Sequence, residues 1–148
     1  MKILSVGLPA MVAAAFLTMS CDKESTIQPE KLPNTAQDFL DEHFNANKIL
    51  SVTEEKEGLS GKEFTAILDD GTKITFDKNG QWIEAEAPER TALPTSFILD
   101  PINNYVEINH ATAPVSTIEK EKHGFDVELT NDLDLVFDKA GKFLRYQD

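Results

Sequence analysis

For chemistry, this chain of 148 residues offers three histidines, one cysteine, loop serines and 26 acidic side chains. A nucleophilic hydrolase needs Ser or Cys held against a base that a carboxylate orients. Ser60 lies in Gly58-Leu59-Ser60-Gly61, which lacks the flanking pattern of a nucleophile elbow and reads as a loop serine. His43, His110 and His123 show neither His-Glu-x-x-His nor paired-cysteine spacing, so a zinc site would have to be assembled entirely by the fold. Asp77 with Asn79 has the alternating oxygens that open a calcium loop. Its sixth and twelfth positions, however, hold Trp82 and Pro88 where such a loop needs glycine and glutamate. A tight turn explains Asp77 and Gly80 without a metal. Acid pairs such as Glu54-Glu55, or Glu119 with Glu121, arise from the abundance of carboxylates and remain solvated. We expect no catalytic residue, no metal, no cofactor, and a protein that is not an enzyme.

The first twenty residues read as an export signal. Lys2 precedes a run of small and apolar residues from Ile3 to Leu17, the length of a secretory h-region and short for a membrane span. The only cysteine, Cys21, follows Leu17-Thr18-Met19-Ser20, which resembles the lipobox of bacterial lipoproteins, with Thr18 where that motif prefers leucine. Lipidation at Cys21 is the expectation, and residues 21–31, polar and aperiodic, read as a flexible tether. Removing residues 1–20, whose only charge is Lys2, moves the formal charge from −12 to −13. That balance argues against nucleic acid, whose phosphates require clustered Lys and Arg. The chain is placed in the periplasm or at the cell surface, anchored in the outer membrane by lipid alone.

The remainder repeats itself. Leu32-Pro33 recurs as Leu93-Pro94, Phe64 as Phe125, Leu68 as Leu129, and Phe76-Asp77-Lys78 with Gly80 as Phe137-Asp138-Lys139 with Gly141, each pair 61 residues apart. In the first copy Thr35 and Asp38 approximate a capping box, and Ala36, Phe39, Leu40 and Phe44 follow at helical spacing, predicting a helix over 35–46. Strands follow from Ile49, from Phe64 and from Ile74, with Asp70-Gly71 as a hairpin turn and the Asp77–Gly80 turn setting Phe76 opposite Trp82. In the second copy Asp100-Pro101 predicts a kinked, shortened or restarted helix. If Val52 matches Val115, the connection to the following strand differs by two residues between the copies. The fold class is α+β: two helix-plus-four-stranded antiparallel meander units, 32–87 and 93–148, share one sheet with both helices on one face.

A doubled Leu-Pro entry, with strands closing on Phe-Asp-x-x-Gly before an aromatic, resembles the PepSY-like family of secreted Gram-negative proteins, also described as β-lactamase-inhibitor-like. The resemblance implies a tandem α-β4 protein acting as a binding or inhibitory module. This chain departs from the family pattern at Asp100-Pro101 and lacks proline after Phe44 or Tyr105.

If Phe64, Phe76, Trp82, Phe125, Phe137 and Phe143 face the helices, alternation sends Ile67, Thr75, Ile83, Glu128, Val136, Leu144 and Tyr146 to the other side. That side reads as largely apolar, rimmed by Lys73, Asp134 and Lys142, and suited to an envelope or secreted protein or peptide. The expected function is therefore a non-catalytic, inhibitor-like binding module. The alternatives are a hydrolase or metal-dependent enzyme with its site in the cleft between the repeats, and a purely structural envelope lipoprotein.

Overall fold

One cross-strand row of side chains organises the molecule. The computed structural model describes residues 24–57 and 61–147, so the segment read as an export signal and Cys21 lie outside the described residues. Among the described residues nine strands pair antiparallel in chain order: β1 (Ser25–Ile27), β2 (Ile49–Glu57), β3 (Gly61–Leu68), β4 (Lys73–Phe76), β5 (Trp82–Glu86), β6 (Val115–Lys120), β7 (Gly124–Leu129), β8 (Asp134–Asp138) and β9 (Phe143–Tyr146). Across them run Ile27, Val52, Ala66, Ile74, Ala85, Ile118, Val127, Leu135 and Tyr146, each opposite the next. From Val52 to Leu135 the row is at most 2% exposed. It shares one core with Ala36 and Leu40 of α1 (Asn34–His43) and Ile102 and Val106 of α2 (Asp100–Asn109). Each fully buried Val, Ile or Leu is worth about 1.5–3 kcal/mol, which fixes the register, because a slip of one residue would turn the row to water.

Four strands follow each helix, β2–β5 after α1 and β6–β9 after α2. Phe39 of α1 meets Phe76 edge-on at 5.8 Å, and Tyr105 of α2 meets Phe137 edge-on at 5.5 Å. The Asp-x-x-Gly turns close against the helix starts. The Asp77 carboxylate accepts the backbone N–H groups of Asn79 and Gln81 at 2.8 and 2.9 Å, and Asp138 accepts those of Ala140 and Lys142 at 2.9 Å each. Gly80 has φ +81°, and a Cβ there would stand 2.8 Å from both the Ala36 nitrogen and the Pro33 Cβ. Only glycine admits this backbone and this approach.

Several expectations change. The segment read as a tether is ordered from Glu24: β1 pairs with β2, and Pro29–Lys31 forms a 3-10 turn. Helix α1 begins at Asn34 with Pro33 at the cap position, so Thr35 lies inside the helix and no side chain caps it. The break at Asp100-Pro101 is real, since a 3-10 turn at Thr95–Phe97 precedes a helix restarted at Asp100. That helix is nonetheless ten residues long, as α1 is. Val52 pairs with Ala66 as Ile118 pairs with Val127, so its counterpart is Ile118 and not Val115. Val52 and Ile118 stand 66 apart while Ala66 and Val127 stand 61 apart, which makes the β2–β3 connection longer by five residues. The helices also start 66 apart, so Leu93-Pro94 leads into the 3-10 turn whereas Leu32-Pro33 leads directly into α1.

Candidate functional site

One position along from the buried row, the sheet turns its other face outward. There Thr26, Thr53, Thr65 and Thr75 stand opposite one another across β1–β4, and the row continues as Glu84, Glu119, Asp126, Val136 and Arg145 across β5–β9. A parallel row runs Ser51, Ile67, Lys73, Glu86, Thr117, Glu128 and Asp134. The carboxylates of Glu84, Glu86, Glu119, Asp126, Glu128 and Asp134 therefore share the outer face of β5–β8. Like charges directly opposite each other oppose sheet formation, and here Glu119 has one on each side. Partial desolvation, then the charges of Glu84, Glu121 and Asp126, hold its carboxyl above the ordinary carboxylate range.

Compensation is sparse. Lys73 reaches Glu86 at 3.2 Å, His123 meets Asp126 at 2.8 Å, and the Thr117 hydroxyl donates to Glu128 at 3.2 Å. Over β6–β8 lies a shallow depression of about 200 Å³ whose lining includes Thr117, Glu119, Asp126, Glu128, Asp134 and Gln147. A second, of about 190 Å³, lies at the β5–β6 joint among Glu86, Arg90, Ser116 and Asp132. Both fall below the ~300 Å³ at which small-molecule sites begin.

The structure brings together most of the outer-face residues that alternation selects, and corrects two of them. Ile67, Thr75 and Glu128 are half-buried there; Ile83, the extra residue of the bulge between Thr75 and Phe76, is half-buried, and Leu144 is half-exposed. Tyr146 lies on the opposite, helix-covered side. A bulge between Val136 and Phe137 makes Leu144 an extra residue, so that Arg145 opposes Val136 and Tyr146 opposes the buried Leu135. Tyr146 packs at 5.0 Å on Phe143, and burial together with its hydrogen bond pushes the Tyr105 phenol up to about 12. Val136 is on the outer face but only 2% exposed, so it has nothing to offer a partner. The face is not largely apolar, because its central strands carry threonine and carboxylate where an apolar anchor was expected. Lys73 and Asp134, read as rim, lie within it.

The histidines stay apart. His43 bonds Ser96 at 2.9 Å, His110 packs beside Tyr105 and Tyr146, and His123 sits with Asp126. Among the described residues no group of three or more His, Cys, Asp or Glu side chains converges to hold a metal ion. Sequence reasoning missed the acid ladder because Glu84, Glu119 and Asp126 become neighbours only through register. The available signal was that Asp126 and Glu128 alternate with Phe125, Val127 and Leu129.

A family model described as "Putative beta-lactamase-inhibitor-like, PepSY-like" matches residues 62–145. No curated protein matches the chain. A Bacteroides thetaiotaomicron crystal structure of a "putative calcium-regulated periplasmic protein" is 31% identical, with a TM-score of 0.78 over 84% of this chain and 97% of the other. Two Bacteroides vulgatus proteins, each described as a "putative periplasmic protein", are similar. One, of unknown function, is 27% identical, with a TM-score of 0.79 over 85% of this chain and 100% of the other. The second, from the DUF2874 family, is 32% identical, with a TM-score of 0.78 over 86% and 99%. With more than half its length matched by the family model, the chain belongs to the PepSY-like, β-lactamase-inhibitor-like family.

Proposed function

We propose that this is a periplasmic binding module of the inhibitor-like kind, non-catalytic, built from two α-β4 repeats and held to the envelope through a lipidated Cys21. The uncovered face of its sheet meets a basic envelope or secreted protein or peptide. The observation that carries this reading is the ladder Glu84–Glu119–Asp126, flanked by Glu86, Glu128 and Asp134. Opposed carboxylates weaken the sheet they stand on, whereas a partner bearing Lys or Arg relieves them and gains charge-assisted hydrogen bonds. The periplasmic placement is supported by all three similar structures. The repeat reading is supported by the matching helix, bulge and turn positions in the two halves.

The test is capture from envelope extract by the wild type and by a Glu84→Gln, Glu119→Gln, Asp126→Asn variant. A basic partner retained by the wild type, released by salt and lost with the variant supports the reading; equal capture by both removes the face from it. One similar protein is described as a "putative calcium-regulated periplasmic protein"; no three of these carboxylates converge as a metal site, so calcium would act here only by pairing loosely with the acidic face. Repeating the capture across a calcium titration separates the two uses, because calcium that binds the same face competes with a basic partner.

A further inference from the structure

The two edges of the sheet fit each other. In its middle, β5 joins β6 through Glu84–Glu119, Ala85–Ile118 and Glu86–Thr117. At one edge β1 lies on β2 through Thr26–Thr53 and Ile27–Val52. Thr53 and Val52 precede Glu119 and Ile118 by 66 residues, the same shift that separates the helix starts. So β1 occupies on β2 the place that β5 occupies on β6. At the other edge β9 repeats β5. Phe143 opposes Phe137 as Trp82 opposes Phe76, a bulge follows each, and Arg145 and Tyr146 fall where Glu84 and Ala85 fall. Among the described residues no strand lies outside β9.

We propose that a second copy of this chain can extend the sheet head to tail, with β9 of one copy taking the place of β1 on β2 of the next, and that β1 is the built-in cap that holds this in check. The internal joint dictates the register: Arg145 opposite Thr53, Tyr146 opposite Val52 and Gln147 opposite Ser51. Exposure supports both sides of the joint. Leu50 on β2 is 66% exposed, and Leu144 and Tyr146 on β9 are 50% and 47% exposed, which are three of the five large exposed apolar residues among the described residues. In the proposed register Tyr146 fills the position in the buried row that Ile27 now half-fills. Charge supports it too, since Glu84 faces Glu119 at the internal joint whereas Arg145 would face Thr53.

The cap is slight. It pairs with three of the nine residues of β2, and Ser25 and Thr26 are exposed. It also ends at Pro29, which has no N–H to give where Ala87 donates to the Ser116 carbonyl at the internal joint. An uncovered edge of this length is a template for another strand. A head-to-tail contact that does not close grows as an open series and does not stop at a dimer.

The test compares the exported chain carrying Cys21→Ala, so that neither acyl chain nor disulfide joins copies, with the same chain bearing Ile27→Asp. A second variant with Ser25, Thr26 and Ile27 all changed to glycine loosens β1 without placing a charge against Val52. Sedimentation is read over a concentration series, with the thermal transition confirming that each variant folds. The parent should stay monomeric. The cap variants should rise past twice the monomer mass with no plateau, and adding Tyr146→Asp should return them to monomer. A folded cap variant that stays monomeric at every concentration, a series that stops at a closed dimer, or oligomers that survive Tyr146→Asp would overturn the proposal.

Discussion

Replacing Glu119 with glutamine should stabilise this protein at neutral pH and cease to do so in acid. Glu119 stands between Glu84 and Asp126 on adjacent ladders. An opposed like-charge pair costs roughly 0.2–1 kcal/mol, and solvent exposure keeps each pair toward the low end. Removing one charge relieves two such pairs, so the gain should be about 0.5 kcal/mol, or a Tm rise of about 2 °C for a domain of this size. The pH dependence has a definite sign. The folded state holds the Glu119 carboxyl above its ordinary range, so folding favours its protonated form. Ionised Glu119 therefore lowers stability once the pH is above its folded pKa, and that penalty disappears as the pH falls below the ordinary glutamate value of about 4.3. Urea unfolding of the wild type and Glu119→Gln at neutral and acidic pH, at low and high salt, reads this directly. A stabilisation seen at neutral pH should shrink in acid and in salt while the denaturant slope stays constant. Glu119→Gln less stable than the wild type at neutral pH, or a gain unaffected by salt and acid, would refute the ladder's electrostatics. The same substitution should weaken partner capture, so stability and binding move in opposite directions.

Other consequences can be measured separately. Gly80→Ala should cost about 2 kcal/mol or more, because a left-handed backbone and backbone contact at 2.8 Å act together. Gly141→Ala should cost less, since its nearest contacts are side-chain atoms at 3.2 Å; urea unfolding ranks the two. Tyr146→Phe should bring the Tyr105 phenol down from about 12 while leaving it above the ordinary tyrosine value, because burial contributes most to the shift; ultraviolet titration follows it. Lipidation predicts that a fatty-acid probe labels the wild type and not Cys21→Ala. With Ser25 already in the sheet, the four-residue step from Cys21 would place β1 within about 14 Å of the anchor.

Much of the fold was legible because alternation and turn chemistry are local. Phe76 opposite Trp82, the Asp77 and Asp138 turns, and the inward set of aromatics all follow from residue types a few positions apart. What escaped depends on register or on very short elements. Ser25–Ile27 is too brief to show a period, so a strand read as a tether. One bulge residue after Phe143 reverses the facing of Tyr146, and no side chain in that stretch announces the bulge. The Leu-Pro pairs suggested a uniform shift of 61, whereas the helices follow a shift of 66, because five residues added between Leu93-Pro94 and α2 are offset by five fewer between β6 and β7, and the matching residues lie outside both changes. For the same reason the acids looked scattered. Glu84 and Glu119 are 35 residues apart in the chain and directly opposed in the sheet.

The most direct measurement is an amide NMR titration of the wild type with a lysine- and arginine-rich peptide. Shifts should concentrate on β5–β8 around Glu84, Glu119, Asp126 and Glu128, fade with added salt, and leave α1 and α2 unmoved. Shifts confined to the helices, or none along β5–β8, would contradict the assignment of the uncovered sheet face as the surface this protein uses.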